Sequence, residues 1–181
     1  MKINLGSGNK RFPDYYNVDS DPNCNPDYVV KLGEECLPFA DNTVNAVIAH
    51  HVFEHIGEGF FFFLKDLYRV CRDGATIDVH VPHPRHDYFL GDLTHVRPIT
   101  IENMRPLSKR WCAQQSYISS SWSGLANQLG VDFDILEYNY ELDDTFKQLI
   151  AGIEDHAQID WMARTMNNAI TEIRFKLMAI K

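Results

Sequence analysis

The chain has 181 residues, 45% of them hydrophobic and 23% charged, the mixture of one ordinary globular domain with its own core. Its formal net charge of −8 opposes a phosphate backbone, so nucleic acid is not favoured as a partner. No run approaches the ~20 apolar residues of a membrane-spanning helix, so no membrane partner is expected. Cys24, Cys36, Cys71 and Cys112 form no C-x-x-C pair, which fits a reduced, cytoplasmic protein.

The opening "MKINLGSGNK" reads as a folded strand rather than a leader. Lys2 to Leu5 is that strand, and it runs into Gly6-Ser7-Gly8. Tyr15 to Asp19 and Asp27 to Leu32 follow as strands, and Val44 to Ala49 is a fourth apolar run of strand length. From Glu58 to Arg72, residues Phe60, Phe63, Leu64, Leu67, Val70 and Cys71 recur at helical spacing, and Asp73-Gly74 is placed to stop the helix. Ala75 to Val81 is a fifth strand, closed by Pro82. Residues 82–115 are irregular and rich in His, Pro and Arg. Val131 to Leu142 and Ala169 to Ile180 read as strands, with a helical segment around Asp144 to Asn167 between them. Such alternation implies an α/β fold with a mostly parallel sheet, the last two strands adding an antiparallel edge. Nothing in the sequence divides residues 1–181 into more than one domain.

Glycines directly after a first strand let the backbone approach a ligand that a Cβ would hold off. Asp19, at the end of the second strand, can accept hydrogen bonds from both hydroxyls of a ribose. The spacing is shorter than a dinucleotide fingerprint and the third glycine is missing, which suits a nucleoside ligand without phosphates. The alternative is a plain turn beside a solvated strand end.

The stretches "INLGSG", "YYNVDSD", "LPFADNTVNAVIAHHVFEHI" and "FLKDLYRVCRDGATIDVHVP" resemble the class I S-adenosylmethionine-dependent methyltransferases, in particular a small subgroup with an L-P-F-x-D segment followed by E-H. "GDLTHVRPIT" and "NAITEIRFKLMAIK" also resemble segments of these proteins. The resemblance implies a Rossmann-like, seven-stranded, mostly parallel sheet with a shortened N-terminus, and S-adenosylmethionine as cofactor. It places Gly6, Ser7 and Gly8 along the methionine part and Asp19 at the ribose. Glu34 to Leu37 would border the adenine, with Leu37 as an apolar contact. Ala49, His50 and His51 would face the cofactor near its transferable methyl. Three features depart from the family pattern: Asn45 where an aspartate is usual, no helix before the first strand, and a short connection after the glycines.

"HHVFEH" admits a different reading. His51, Glu54 and His55 spell H-x-x-E-H, a zinc-hydrolase signature, which requires both histidines on one face of a continuing helix. Gly57 and Gly59 argue against that helix, so a zinc-dependent hydrolase is kept only as an alternative and no residue is assigned to a metal. Glu54 and His55 are read as a loop anchor or part of an acceptor pocket.

His80, His83, His86, Asp87, Asp92 and His95 crowd the segment that follows the fifth strand, so 82–115 is expected as an insertion over the active site. Methyl transfer to oxygen or nitrogen often needs a base. Histidine suits that role, which makes His83, His86 and His95 the catalytic candidates, while H-x-x-H spacing leaves metal binding open. Arg85 and Arg97 would bind an anionic acceptor or pair with Asp87 and Asp92. Trp111, Tyr117, Trp122 and Trp161 would stack on a ring-shaped acceptor or be buried. The expected function is methyl transfer to an O or N of a small-molecule or saccharide-like acceptor, in a chain that can pair as a homodimer. A catalytically silent nucleoside-binding module is the second alternative.

Overall fold

The apolar runs pair as one sheet in a computed structural model, which describes residues 1–115 and 124–181. Its strands are β1 (Lys2–Leu5), β2 (Tyr16–Asp19), β3 (Tyr28–Val29), β4 (Val44–His50), β5 (Cys71–Pro82), β6 (Phe133–Leu142) and β7 (Ile170–Ala179). Their order is β3-β2-β1-β4-β5-β7-β6. β1 to β5 pair in parallel, β7 runs antiparallel to β5, and β6 antiparallel to β7. This is the Rossmann-like α/β sheet with an antiparallel edge that the sequence implies.

β1 and the end of β4 are buried at consecutive residues, and strands covered on both faces read as continuous apolar runs. β5 and β7 instead alternate buried with half-buried residues. The order reverses between β1 and β4, with β2 and β3 on one side and all later strands on the other. Such a switch point opens a crevice at the carboxyl ends of the strands. No described helix is long and apolar enough to cross a membrane.

Helix α1 (Phe60–Val70) buries Phe60, Phe63, Leu64, Leu67 and Val70 against the sheet. Asp66 shares that face at 6% exposure, where an unpaired carboxylate would be costly. Its Oδ2 accepts the Leu37 N–H at 2.6 Å and its Oδ1 the Arg69 Nε–H at 2.7 Å. Arg69 donates in turn to the carbonyls of Phe39 at 2.8 Å and Leu37 at 3.0 Å. The pair clamps the L-P-F segment onto α1 and so seats Leu37 and Phe39 in the core.

Three elements differ from the sequence reading. α1 ends at Val70, and extended Cys71 enters β5 without a loop. Asp73-Gly74 is therefore no helix stop; it lies in a bulge of β5, where the pairing with β4 shifts between Val44 and Ala46. β3 pairs over two residues only, and the 144–167 segment divides into helices Asp144–Leu149 and His156–Thr165. Residues 82–115 also divide. Arg97 and its neighbours cross the turn after β4, whereas 101–113 form short helical pieces that pack toward β6.

Just before α1, a Cβ on Gly59 would lie 2.0 Å from the Gly33 carbonyl oxygen, so only glycine lets these two loops touch. Gly59→Ala should cost about 1–3 kcal/mol as overpacking, and each kcal/mol lowers Tm by about 2–4 °C for a chain of this size; thermal unfolding reads it directly. Asp66→Ala should cost about 3 kcal/mol, because two hydrogen bonds to a charge are lost. Arg69→Ala should cost at least as much, since it leaves the buried Asp66 carboxylate without its countercharge and the Leu37 and Phe39 carbonyls without that donor. A much smaller loss for Arg69→Ala in denaturant titrations would contradict the clamp.

Candidate active site

The crevice at the switch point is a pocket of about 700 Å³, a volume that accommodates a nucleoside-sized ligand. Gly6, Gly8 and Asp19 form one wall, Val30 to Glu34 a second, and His51, Val52 and residues 55–59 the third. The two glycines act differently. Both have positive φ, +57° and +48°, but a Cβ on Gly6 would meet Val52 Cγ2 at 2.5 Å, whereas one on Gly8 would meet nothing within 4 Å. Gly6 thus admits the protein's own Val52, and Gly8 is the residue that opens onto the pocket.

The Gly8 N–H donates to Asp19 Oδ2 at 2.7 Å, and the Asp21 N–H donates to Oδ1 at 2.9 Å. The carboxylate is fixed by two amides, and each oxygen keeps a lone pair for a further donor. Glu34 lines the pocket with Lys31, to which it is ion-paired at 2.7 Å. Ser7, Leu37 and Ala49 do not line it: all three are buried, and Ser7 is held by a hydrogen bond from its N–H to the Val18 carbonyl at 3.2 Å.

His50 and His51 part company at the end of β4. The His50 ring stacks on His80 at 3.7 Å and reaches Asp78 at 3.3 Å, and it takes no part in the pocket wall. His51 does, because its φ of +56° turns the chain over. Its Nε2 lies 2.9 Å from Glu172 Oε2 and its Nδ1 3.4 Å from Glu54 Oε1. Glu172, and after it Glu54, hold a proton on the ring and raise its pKa to about 9. Burial of Glu172 works against its charge, but the hydrogen bonds from His51 and Arg174 outweigh it and bring that carboxyl down to about 2. No local pattern marks Glu172, which enters the site from β7.

The zinc-hydrolase arrangement does not form around His51. The segment is a strand end, a left-handed residue and a single 3₁₀ turn, Phe53–His55, not a helix carrying two histidines one turn apart. Both His51 nitrogens face carboxylates.

The three catalytic candidates do not come together. His83 Nδ1 accepts the Arg85 N–H at 3.2 Å, and burial, with the charges of Arg85 and His86, pushes its pKa down to about 4. His86 is 4% exposed; its Nδ1 caps a short helix at Tyr88 N, 3.0 Å away, and its Nε2 lies 3.5 Å from Asp143. Of the three, His95 packs its ring on that of His55, a pocket-lining residue, at 4.7 Å. The arginines pair with neither Asp87 nor Asp92. Arg97 donates to the Gly57 carbonyl at 3.0 Å and lies over Phe60, and Arg85 reaches the Ala163 carbonyl at 3.4 Å. Trp111 lines a separate cavity of about 550 Å³ against β6, and Trp161 is exposed on its helix. Tyr117 and Trp122 lie outside the described residues.

Residues 9–77 match the family model of a methyltransferase domain. No curated protein matches the chain. Among solved structures, the chain is similar to a SAM-dependent methyltransferase from Archaeoglobus fulgidus, with TM-score 0.65 and 17% identity over 98% of this chain and 85% of that one. It is similar also to an S-adenosylmethionine-dependent methyltransferase from Mesorhizobium loti, with TM-score 0.54 and 14% identity over 98% and 90%. A third similar structure is the [4+2]-cyclase SpnF, with TM-score 0.57 and 13% identity over 99% and 75%. At these identities the structures establish the fold, while the sequence match spans the glycine turn's exit, Asp19, the L-P-F segment and β4. Residues 9–77 thus carry a sequence match to a methyltransferase domain, and the whole chain has the fold of the S-adenosylmethionine-dependent methyltransferases it is similar to.

Proposed function

We propose that the chain moves the sulfonium methyl of S-adenosylmethionine to an oxygen or nitrogen of a small-molecule or saccharide-like acceptor. The observation that carries this reading is the fixed Asp19 carboxylate beside the open face of Gly8, at the mouth of a pocket of about 700 Å³. The residues fit the cofactor: the free lone pairs of Asp19 suit two ribose hydroxyls, and Val30 and Leu32 give an apolar wall beside Glu34 for a flat base. When bound, the cofactor supplies a methyl group activated by the adjacent sulfonium charge.

The chain's own part is to bind and orient. His51, held as a cation between Glu172 and Glu54, has no lone pair to take an acceptor proton; it fixes the wall where β4 ends. His83 is neutral at pH 7, but with Nδ1 occupied its Nε2 carries the proton, and His86 is spent on its cap and Asp143. That leaves His95 as the candidate nearest the pocket. Alignment of donor and acceptor supplies most of the rate in such a displacement. The cyclase neighbour shares the fold, so binding and transfer need separate tests.

S-adenosylhomocysteine at ~100 times its dissociation constant should stabilise the protein by about 2.7 kcal/mol, a Tm rise of several degrees. Asp19→Ala should abolish most of that rise. No shift in the wild type would sink the cofactor pocket, and a shift without label transfer from methyl-labelled S-adenosylmethionine to any offered hydroxyl or amine would sink the transfer. A pH signature follows from His51. Its folded pKa of about 9 exceeds the ordinary imidazole value of 6.5, so its stabilisation is complete below about 6.5 and lost as pH rises through about 9. Unfolding measured from pH 6 to 10 should show that alkaline decline in the wild type, and His51→Gln should flatten it. Glu172 gives the opposite limb, with stability falling as pH drops below 4.5 toward about 2.

A further inference from the structure

Glu54 is fully buried at 0% exposure, yet neither of its carboxylate oxygens has a hydrogen-bond partner among the described residues. His51 Nδ1, 3.4 Å from Oε1, pairs with it by charge without making a hydrogen bond, and Oε2 has neither. Buried carboxylates without partners are rare, and each calls for a cause. One ring nitrogen each from His55 and His95 lies within 4.8 Å of a Glu54 oxygen and of each other. We propose that Glu54, His55 and His95 form a site for a divalent transition-metal ion of the zinc type at the rim of the pocket, with a coordination position left for water or an acceptor oxygen.

The hydrogen bonds around both rings favour this. Asp92 Oδ1 accepts the Thr94 hydroxyl at 2.6 Å and the Thr94 N–H at 2.8 Å. With its proton so committed, Thr94 Oγ1 can only accept from His55 Nδ1, 3.0 Å away. His95 Nδ1 lies 3.0 Å from the Phe89 carbonyl, which also only accepts. Both rings therefore carry their proton on Nδ1 and present a bare Nε2. Among the described residues neither Nε2 makes a hydrogen bond; that of His95 lies 3.7 Å from Asp92 Oδ2. Metal-bound histidines are oriented in this way, with the second nitrogen donating to a carbonyl or to a carboxylate-supported group.

The donor set, two imidazoles and one carboxylate, is that of catalytic zinc sites with an open fourth position. Zinc with bonds of ~2.0–2.2 Å draws its donors close together, an adjustment that the exposed His55 side chain can supply. The H-x-x-E-H pattern thus contributes its last two residues, while the third ligand comes from the "GDLTH" segment 40 residues later. Binding does not depend on the methyl-transfer reading, although a metal here would let an acceptor hydroxyl ionise without a histidine base.

The test uses the full chain, stripped with a chelator and titrated with Zn²⁺ by calorimetry and with Co²⁺ by visible absorption. Wild type should take up one tight equivalent. His55→Ala and His95→Ala should each weaken it at least 100-fold, and Thr94→Val, which removes the closer of two acceptors for His55 Nδ1 and leaves the Thr94 carbonyl at 3.3 Å, about 10-fold. His80→Ala breaks the separate His50–Asp78–His80 cluster and should leave uptake unchanged. Absence of stoichiometric uptake in wild type overturns the proposal. So does uptake that survives His95→Ala in a folded protein, or that disappears with His80→Ala.

Discussion

The chain reverses direction at His51, and the rest of the site depends on how that reversal is held. β4 ends at His50, the His51 N–H is bound to the His80 carbonyl at 2.8 Å, and a φ of +56° then throws Val52 back across the end of β1. The space it enters exists because residue 6 has no Cβ; any side chain there would overlap Val52. β1 and β4 are the two strands between which the sheet order reverses, so this contact sits at the one place where a doubly wound sheet leaves a crevice. It forms the base of the opening, with Gly8 and Asp19 on one side and the 55–59 turn on the other.

A left-handed histidine is uncommon and needs outside support. The support is electrostatic and comes from two directions. Glu54, one 3₁₀ turn later, approaches Nδ1, and Glu172, on the antiparallel strand β7, takes Nε2. The antiparallel edge of the sheet is thus part of the site, because it brings the carboxylate that keeps His51 charged and in place. Arg174 on the same strand holds Glu172, and it stands directly across from His80 in the β5–β7 register. The pocket wall and β7 are therefore joined through three successive ion pairs, Glu54–His51, His51–Glu172 and Glu172–Arg174.

Much of this fold is legible in the sequence because buried parallel strands must be apolar along their whole length. Lys2 to Leu5 and Val44 to Ala49 give themselves away on that ground, as does the stripe of α1. Gly74 misleads because glycine serves helix stops and strand bulges alike, and only the pairing with β4 distinguishes them. Gly8, Asp19, Glu34 and His51 carry a local motif and reach the pocket. Glu172 and the Gly33–Gly59 contact do not announce themselves, because each joins positions far apart in the chain. His50 and His51 are neighbours of one type, and what separates their fates is a single backbone dihedral that no periodicity encodes.

The same dihedral decides what H-x-x-E-H can be. In a helix, His51 and His55 would share a face with Glu54 beside them. Here His51 is turned into two carboxylates and protonated, which removes it as a ligand. Glu54 and His55 are left facing the strap that runs from Asp92 to Arg97, where the Val96 and Arg97 amides bond the Glu54 carbonyl at 2.9 and 3.1 Å. Those bonds secure the main chain of Glu54 and do nothing for its carboxylate, which is buried without a hydrogen bond among the described residues, its Oε1 3.4 Å from the His51 ring. Two amides, an arginine fork and a Thr94–Asp92 pair fix this strap, while among the described residues the carboxylate beneath it faces only the His51 cation, which Glu172 shares. The disposition is that of a ligand cage built from two loops, with the strand end beneath it reserved for a different task.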